Sequence, residues 1–278
     1  MKPEVKPEMK PEHPPHIEQG DGSRMSELAD GQAHLVLTSP PYFAPSLEAQ
    51  LDAGLEPGAD LDALEAHTVA FAWGLRPVWA ECTRVLAPDA RLVVQVRDVR
   101  LRERLVAVEC VHRQMLGSLG WHLLARHVWR PVHTTLGRRR VAAALAARSG
   151  PVPFDAEAFM VFARHGTAPR GAPSAEDTAL LSADTMVTPV GRLAQRHRFQ
   201  APLPVLSAFV RMATKPGDWV VDPFAGGGST LKVATDLGRR AWGCDVDMAA
   251  VTQGRVNLGL HAAGGAGSPH EPDAADDD

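Results

Sequence analysis

"DWVVDPFAGGGST", residues 218–230, passes from an apolar run through three glycines to a pair of hydroxyl residues. That order specifies a strand, a tight turn and the start of a helix. Gly226, Gly227 and Gly228 let the backbone approach a ligand more closely than any Cβ would allow. A phosphate-binding P-loop needs a lysine before its hydroxyl residue, whereas here Ser229 and Thr230 follow Gly228 directly. A dinucleotide fingerprint needs a third glycine where Leu231 stands. The next apolar run closes on "GCDVD", which places Asp245 23 residues after Asp222. In a doubly wound sheet, an acid at the end of the second strand can accept hydrogen bonds from both ribose hydroxyls. Turn and acid together fit an adenosine ligand without a pyrophosphate. A plain glycine-rich strand–helix turn is the alternative.

Outward from this stretch the same alternation continues. Residues 33–39, 90–96, 157–164, 218–222 and 240–245 read as strands. Residues 61–86, 102–120, 203–214 and 230–238 carry apolar side chains at helical spacing. Near-continuous apolar strands separated by helices imply an α/β fold with a mostly parallel sheet covered on both faces. The pattern weakens between Pro131 and Phe199, so residues 131–196 are expected to form an insertion within a domain spanning 16–261. Residues 1–15 repeat "KPE" three times, and 262–278 are rich in Gly, Ala and Asp. Neither end can bury apolar surface, and both are expected to be disordered tails.

A second stretch, "LVLTSPPYF" at 35–43, ends an apolar run with two prolines and the sole tyrosine of the chain. Pro40 and Pro41 lack backbone donors, so the sheet ends there and its tip is held rigidly. Thr38 and Ser39 present hydroxyls just before the prolines, and Tyr42 presents a ring just after them.

Charge points to the partner. The net charge is −4, yet Arg76 to Arg148 holds 14 arginines against 5 acidic residues. This basic middle suggests an anionic partner, although arginine-rich composition from GC-rich coding DNA is the alternative. Arg138, Arg139 and Arg140 form the densest cluster and are the expected phosphate contacts. No apolar stretch reaches membrane-spanning length and no apolar leader opens the chain, so a cytoplasmic location is expected. Cys82, Cys110 and Cys244 have no metal-ligand spacing and read as small buried residues in a reducing compartment.

"DPFAGGGST" resembles the S-adenosylmethionine loop of DNA amino-methyltransferases, and "TSPPY" resembles their catalytic tetrapeptide. "IEQGDGSRMSELADGQAHLVLTSPPY" is similar to the family's leader, and "RFQAPLPVLSAFVRMATKPGDWVVDPF" to its approach to the glycine loop. Tetrapeptide before cofactor loop resembles the beta arrangement. The resemblance implies a circularly permuted methyltransferase fold with a seven-stranded sheet. It implies S-adenosyl-L-methionine as cofactor, held by Asp21, Thr38, Phe199, Ala201, Asp222, Pro223, Phe224, Ala225, the three glycines, Ser229, Thr230 and Asp245. Double-stranded DNA is the implied partner, with residues 131–196 as the target-recognition segment. A homodimer and a cognate restriction endonuclease are further partners the family allows. "FQAPLP" departs from the commoner form of its segment, and leaves His197 without an assigned role.

The chemistry of the tetrapeptide follows from the substrate. An exocyclic amine is a poor nucleophile because its lone pair is delocalised into the base. Acceptors aimed at its N–H groups localise that pair and offset charge as the methyl arrives. Ser39 can supply a hydroxyl oxygen and Pro40 a carbonyl, with Pro41 stiffening both, while Tyr42 can stack on a flipped base. This reaction requires no metal. Methylation at cytosine carbon needs a cysteine, generally after proline, and here Glu81, Glu109 and Gly243 precede the cysteines. Serine in the first tetrapeptide position resembles the cytosine-N4 group, with adenine-N6 as the runner-up. An inactive DNA-binding protein with this fold is the non-enzymatic alternative, and an RNA or protein methyltransferase is a third.

Overall fold

The computed structural model describes residues 13–41, 60–101, 104–132, 157–164, 168–183, 185–189 and 202–260. Its main sheet contains β1 (His16–Gln19), β2 (Ala33–Thr38), β3 (Leu86–Val96), β6 (His122–Val132), β7 (Glu157–Ala163), β8 (Met186–Pro189), β9 (Trp219–Asp222) and β10 (Arg240–Asp245). They lie in the order β1-β10-β9-β2-β3-β7-β6-β8, and only β7 runs against the rest. Among the described residues the sheet holds eight strands, one more than the seven expected of this α/β fold. At one edge lies β8, four residues ending in a proline, which pairs with β6. Proline is tolerated there because an edge strand has one side free of the ladder.

Helices cover both faces. On one, α2 (Arg76–Val85) and α3 (Val108–Ser118) pack Val78, Trp79, Cys82, Met115 and Leu116 against Val36, Val94 and Met160. On the other, α5 (Leu203–Ala213), α6 (Ser229–Asp236) and α7 (Met248–Asn257) cover Leu35, Val93, Phe159 and Val220. Phe209 of α5 stacks on Phe159 with ring centroids 5.1 Å apart. A buried ring of this size contributes roughly 1.5–3 kcal/mol. The small helix α4 (Ala175–Ser182) opens with a capping box between Ser174 and Asp177, and Arg211 of α5 reaches Asp177 at 3.0 Å.

Three expectations need correction. The helical stretch 61–86 divides into α1 (Leu61–Gly74) and α2, because Pro77 cannot donate to the carbonyl of Trp73. The stretch 102–120 begins instead as a hairpin of β4 (Val99–Leu101) and β5 (Arg104–Val106), and helix starts only at Val108. There the Asp98 carboxylate accepts the Glu109 N–H at 3.1 Å. Residues 131–196 are not an insertion throughout: β7 lies between β3 and β6, with Phe159 and Phe162 fully buried. Residues 133–156, 165–167, 184 and 190–196 of that segment lie outside the described residues. Cys82 and Cys244 are buried as expected, whereas Cys110 is exposed on α3. No helix among the described residues is long and apolar enough to cross a membrane.

Candidate active site

Chain direction locates the site. From β9 the chain passes through α6 to β10, moving one way across the sheet; from β2 it passes through α1 and α2 to β3, moving the other way. The reversal lies between β9 and β2, where parallel α/β sheets bind ligands beyond the carboxyl ends of their strands. Both stretches singled out above emerge there: "TSPP", residues 38–41, from β2 and "DPFAGGG" from β9.

A side-chain bond links them. Thr38 Oγ1 donates to Asp222 Oδ1 at 2.6 Å, across 184 positions of sequence, with both residues buried. The Phe224 N–H donates to the same oxygen at 3.1 Å, and the Thr230 hydroxyl also bonds this carboxylate. Burial outweighs these bonds and pushes the Asp222 carboxyl up to about 6. Thr38, Asp222, Pro223, Ala225 and Thr230 are buried, so they buttress the loop from behind. Phe224, Gly226, Gly227 and Ser229 form its partly exposed surface. Phe224 leans edge-on against the buried Trp79, with centroids 5.9 Å apart.

The loop closes on the neighbouring strand. Asp245 Oδ2 accepts the Gly226 N–H at 2.9 Å, and its Oδ1 accepts the Asp247 N–H at 3.0 Å. Each carboxylate oxygen can accept more than one hydrogen bond, which leaves capacity for the hydroxyls of a ligand. Gly226 has φ +48°, and a Cβ built on it would project into open space. Its backbone therefore borders room for a ligand, and the loop fits an adenosine-type cofactor. Val246, directly after Asp245, is 71% exposed and offers an apolar surface beside that acid.

The leader contributes a close contact. A Cβ on Gly22 would stand 2.8 Å from Pro223 Cβ, so Asp21 is carried against the glycine loop. Asp21 itself is exposed, and its Oδ1 accepts the Ser23 N–H at 2.8 Å, closing a turn. Ser39 is half-buried, Pro40 buried and Pro41 exposed. Tyr42, Phe199, Ala201, Arg138, Arg139 and Arg140 lie outside the described residues.

Sequence reasoning passed over three contributors. Asn257 Nδ2 of α7 donates to the Gly227 carbonyl at 2.8 Å. Gly254, one turn earlier, lets α7 approach: a Cβ there would meet Ile17 Cδ1 at 2.6 Å and Gly226 O at 3.1 Å. Arg84 gathers the leader by bonding the carbonyls of Met25 and Leu28 and the carboxylates of Asp30 and Glu81. Apart from the i,i+3 pair of Arg84 with Glu81, helical position in the sequence flags none of these, because the contacts are long-range.

Comparison with known proteins places this geometry in a family. Residues 33–255 match N6_N4_Mtase, described as DNA methylase. The type II methyltransferase M.MthZI of Methanothermobacter thermautotrophicus is 23% identical over 252 residues, covering 80% of this chain and 70% of the relative. M.MjaI of Methanocaldococcus jannaschii is 24% identical over 82% of this chain and 86% of its own. Among solved structures, TTHA0409 of Thermus thermophilus, complexed with S-adenosyl-L-methionine, superposes with TM-score 0.67 at 23% identity, covering 92% of this chain and all of its own. The cytosine-N4-specific PvuII DNA methyltransferase also gives TM-score 0.67, at 18% identity and 92% coverage of each chain. The match over residues 33–255 spans most of the chain, which belongs to the N6_N4_Mtase family of DNA methylases.

Proposed function

We propose that the protein transfers a methyl group from S-adenosyl-L-methionine to the N4 amino group of cytosine in double-stranded DNA. The observation that carries this reading is the placement of Ser39 directly after Thr38, whose hydroxyl is bonded to the cofactor strand at Asp222. The cofactor, when bound, supplies an electrophilic methyl on a sulfonium. Asp245 accepts the ribose hydroxyls, and Phe224 and Val246 flank the adenine with apolar surface. Gly226 and Gly227 admit the remainder at backbone distance, and Asp21 stands at the same rim.

The Ser39 oxygen and the Pro40 carbonyl accept the two N–H groups of the target amine. They draw its lone pair out of ring conjugation and toward the incoming methyl. The nitrogen gains carbon as the carbon–sulfur bond breaks, and it then sheds one proton toward these acceptors and on to water. Tyr42 stacks on the flipped base. Residues 133–156, with Arg138, Arg139 and Arg140, contact DNA phosphates and carry target recognition, and the permuted chain order belongs to the same reading. A cognate restriction endonuclease belongs to the same reading, and two relatives are named type II methyltransferases.

Duplex DNA incubated with enzyme and S-adenosylmethionine, digested to nucleosides and resolved by mass spectrometry, tests the assignment. N4-methylcytosine is expected. N6-methyladenine alone would overturn the base while leaving the family intact, and no methylated nucleoside would overturn the activity.

A further inference from the structure

The ladder between β2 and β9 pairs Leu35 with Val220 and Val36 with Val221, and records no pair beyond them. β2 remains paired with β3 as far as Thr38, opposite Val94. The catalytic strand thus stays with one half of the sheet just where the crevice to the cofactor half opens. At that point a buried hydroxyl, Thr38 Oγ1, reaches across to a buried carboxylate, Asp222 Oδ1, at 2.6 Å. The same oxygen holds the Phe224 N–H, the first turn of the glycine loop. One carboxylate therefore fixes both the strand end that carries Ser39 and the loop that borders the cofactor space.

We propose that the Thr38–Asp222 hydrogen bond is a positioning contact for methyl transfer, setting the separation between the amine acceptors at Ser39 and the methyl donor on the glycine loop. This rests on the methyl-transfer reading above. A near-attack geometry is sensitive to displacements of an ångström, and a short bond between buried groups is suited to hold it. Neither Thr38 nor Asp222 needs to touch the base or the methyl group.

The contact should also respond to pH. Asp222 meets Thr38 from β2, Thr230 from α6 and the Phe224 N–H from the loop, with Asp245 and Cys244 on β10 and Cys82 on α2 nearby. Burial pushes both thiols up, so they stay neutral, and Asp245 contributes repulsion. Below about 6 the Asp222 carboxylate takes up a proton, and its charge-assisted hold on Thr38 and Phe224 weakens.

The test compares wild type with Thr38→Val, Thr38→Ser and Asp222→Asn in single-turnover methylation of duplex DNA from pH 5 to 9, alongside calorimetric binding of S-adenosylmethionine. Thr38→Val should bind cofactor within about threefold of wild type yet transfer methyl at least about tenfold more slowly, and Thr38→Ser should recover most of the rate. The acid limb of the Thr38→Val profile should move upward, because a hydrogen bond that stabilises the ionised form is gone. Asp222→Asn keeps an acceptor but cannot titrate, so its profile should lack that limb whatever its absolute rate; this arm stands even if the valine variant does not fold. Wild-type rates in Thr38→Val, equal losses in the valine and serine variants, or an unchanged acid limb in Asp222→Asn would each overturn the coupling alone. A wild type that methylates no DNA would instead remove the activity and the coupling with it.

Discussion

The two halves of the sheet meet their ligands differently. On the cofactor side, β9, β10 and α7 approach one another through glycines. A Cβ on Gly243 would lie 2.9 Å from Ala225 Cβ and from the Asp222 carbonyl, and one on Gly254 would collide with Ile17. The contacts that shape the loop correspondingly engage its backbone: the Gly226 N–H donates to the Asp245 carboxylate, and the Gly227 carbonyl accepts from the Asn257 amide. On the side proposed to receive the base, β3, β7 and β6 carry long polar side chains toward the same end of the sheet, with Gln95 and Glu157 buried and Arg126 exposed. There Gln95 bonds Glu157, and Arg126 bonds Glu109 at 2.6 Å. A ligand of one fixed shape suits a site made of backbone, which has few rotamers to lose. A surface that must read DNA needs side chains with varied donors and acceptors. If this division is real, substitutions on the two sides should separate chemistry from cofactor binding.

Ser39→Ala should give the largest effect. It removes the amine acceptor proposed above, while the Thr38–Asp222 and Gly226–Asp245 bonds are made by other side chains. Methyl transfer should fall by about two orders of magnitude or more, with S-adenosylmethionine affinity nearly unchanged. Single-turnover kinetics beside calorimetry measure both quantities. A Ser39→Ala enzyme that loses cofactor affinity instead would break the division at its centre.

Asp222→Asn probes the seam through stability. The native carboxyl titrates at about 6, above its ordinary value of 3.8, so its favourable contribution is complete below about 3.8 and is lost as pH rises through about 6. At pH 8 the ionised, buried group costs on the order of 3 kcal/mol. Asparagine removes that cost while retaining an oxygen for Thr38 and Phe224. The variant should therefore resist urea better than wild type at pH 8, and the advantage should vanish near pH 4. An advantage that does not change with pH would show that Asp222 is not the titrating group.

Asp245→Ala sharpens the cofactor side. It removes the acceptor for the Gly226 N–H and for the ribose, and should weaken S-adenosylmethionine binding by roughly 1–3 kcal/mol. Unchanged affinity by calorimetry would take Asp245 out of the site.

The same division explains what the sequence could disclose. The glycine turn after β9 and the acid that ends β10 are legible because their requirements are local: three consecutive glycines and an acid at the end of the next strand. β2 and its proline tip were legible for the same reason. Thr38 and Asp222 were both singled out, but their bond to each other was not, since it joins positions 184 residues apart. β8 and the β4–β5 hairpin were missed because three- and four-residue strands carry too few alternations to show a period. β7 reads as a strand, but its flanks, rich in Pro, Gly and Arg, read as an insertion. Its burial between β3 and β6 is a tertiary fact. Asp21 was legible as a motif residue, and the structure adds that one of its oxygens already serves the turn at Ser23.

The smallest expected effect belongs to Asn257. Its Nδ2 holds the Gly227 carbonyl at 2.8 Å, while its Oδ1 accepts from Gln253 at 3.0 Å, so the amide is fixed on both sides. The residue is exposed, and water can replace the lost bond, which limits the cost to roughly 0.5–1.5 kcal/mol. Asn257→Ala should accordingly weaken S-adenosylmethionine binding by about two- to tenfold through a less ordered loop. The rate at saturating cofactor should stay unchanged, because α7 packs behind the glycine loop and β1, away from the tetrapeptide. Measured together, affinity and saturated rate test whether the two sides are separable. A slower saturated rate would mean that loop position reaches the reacting amine, and that the cofactor side shapes chemistry as well as binding.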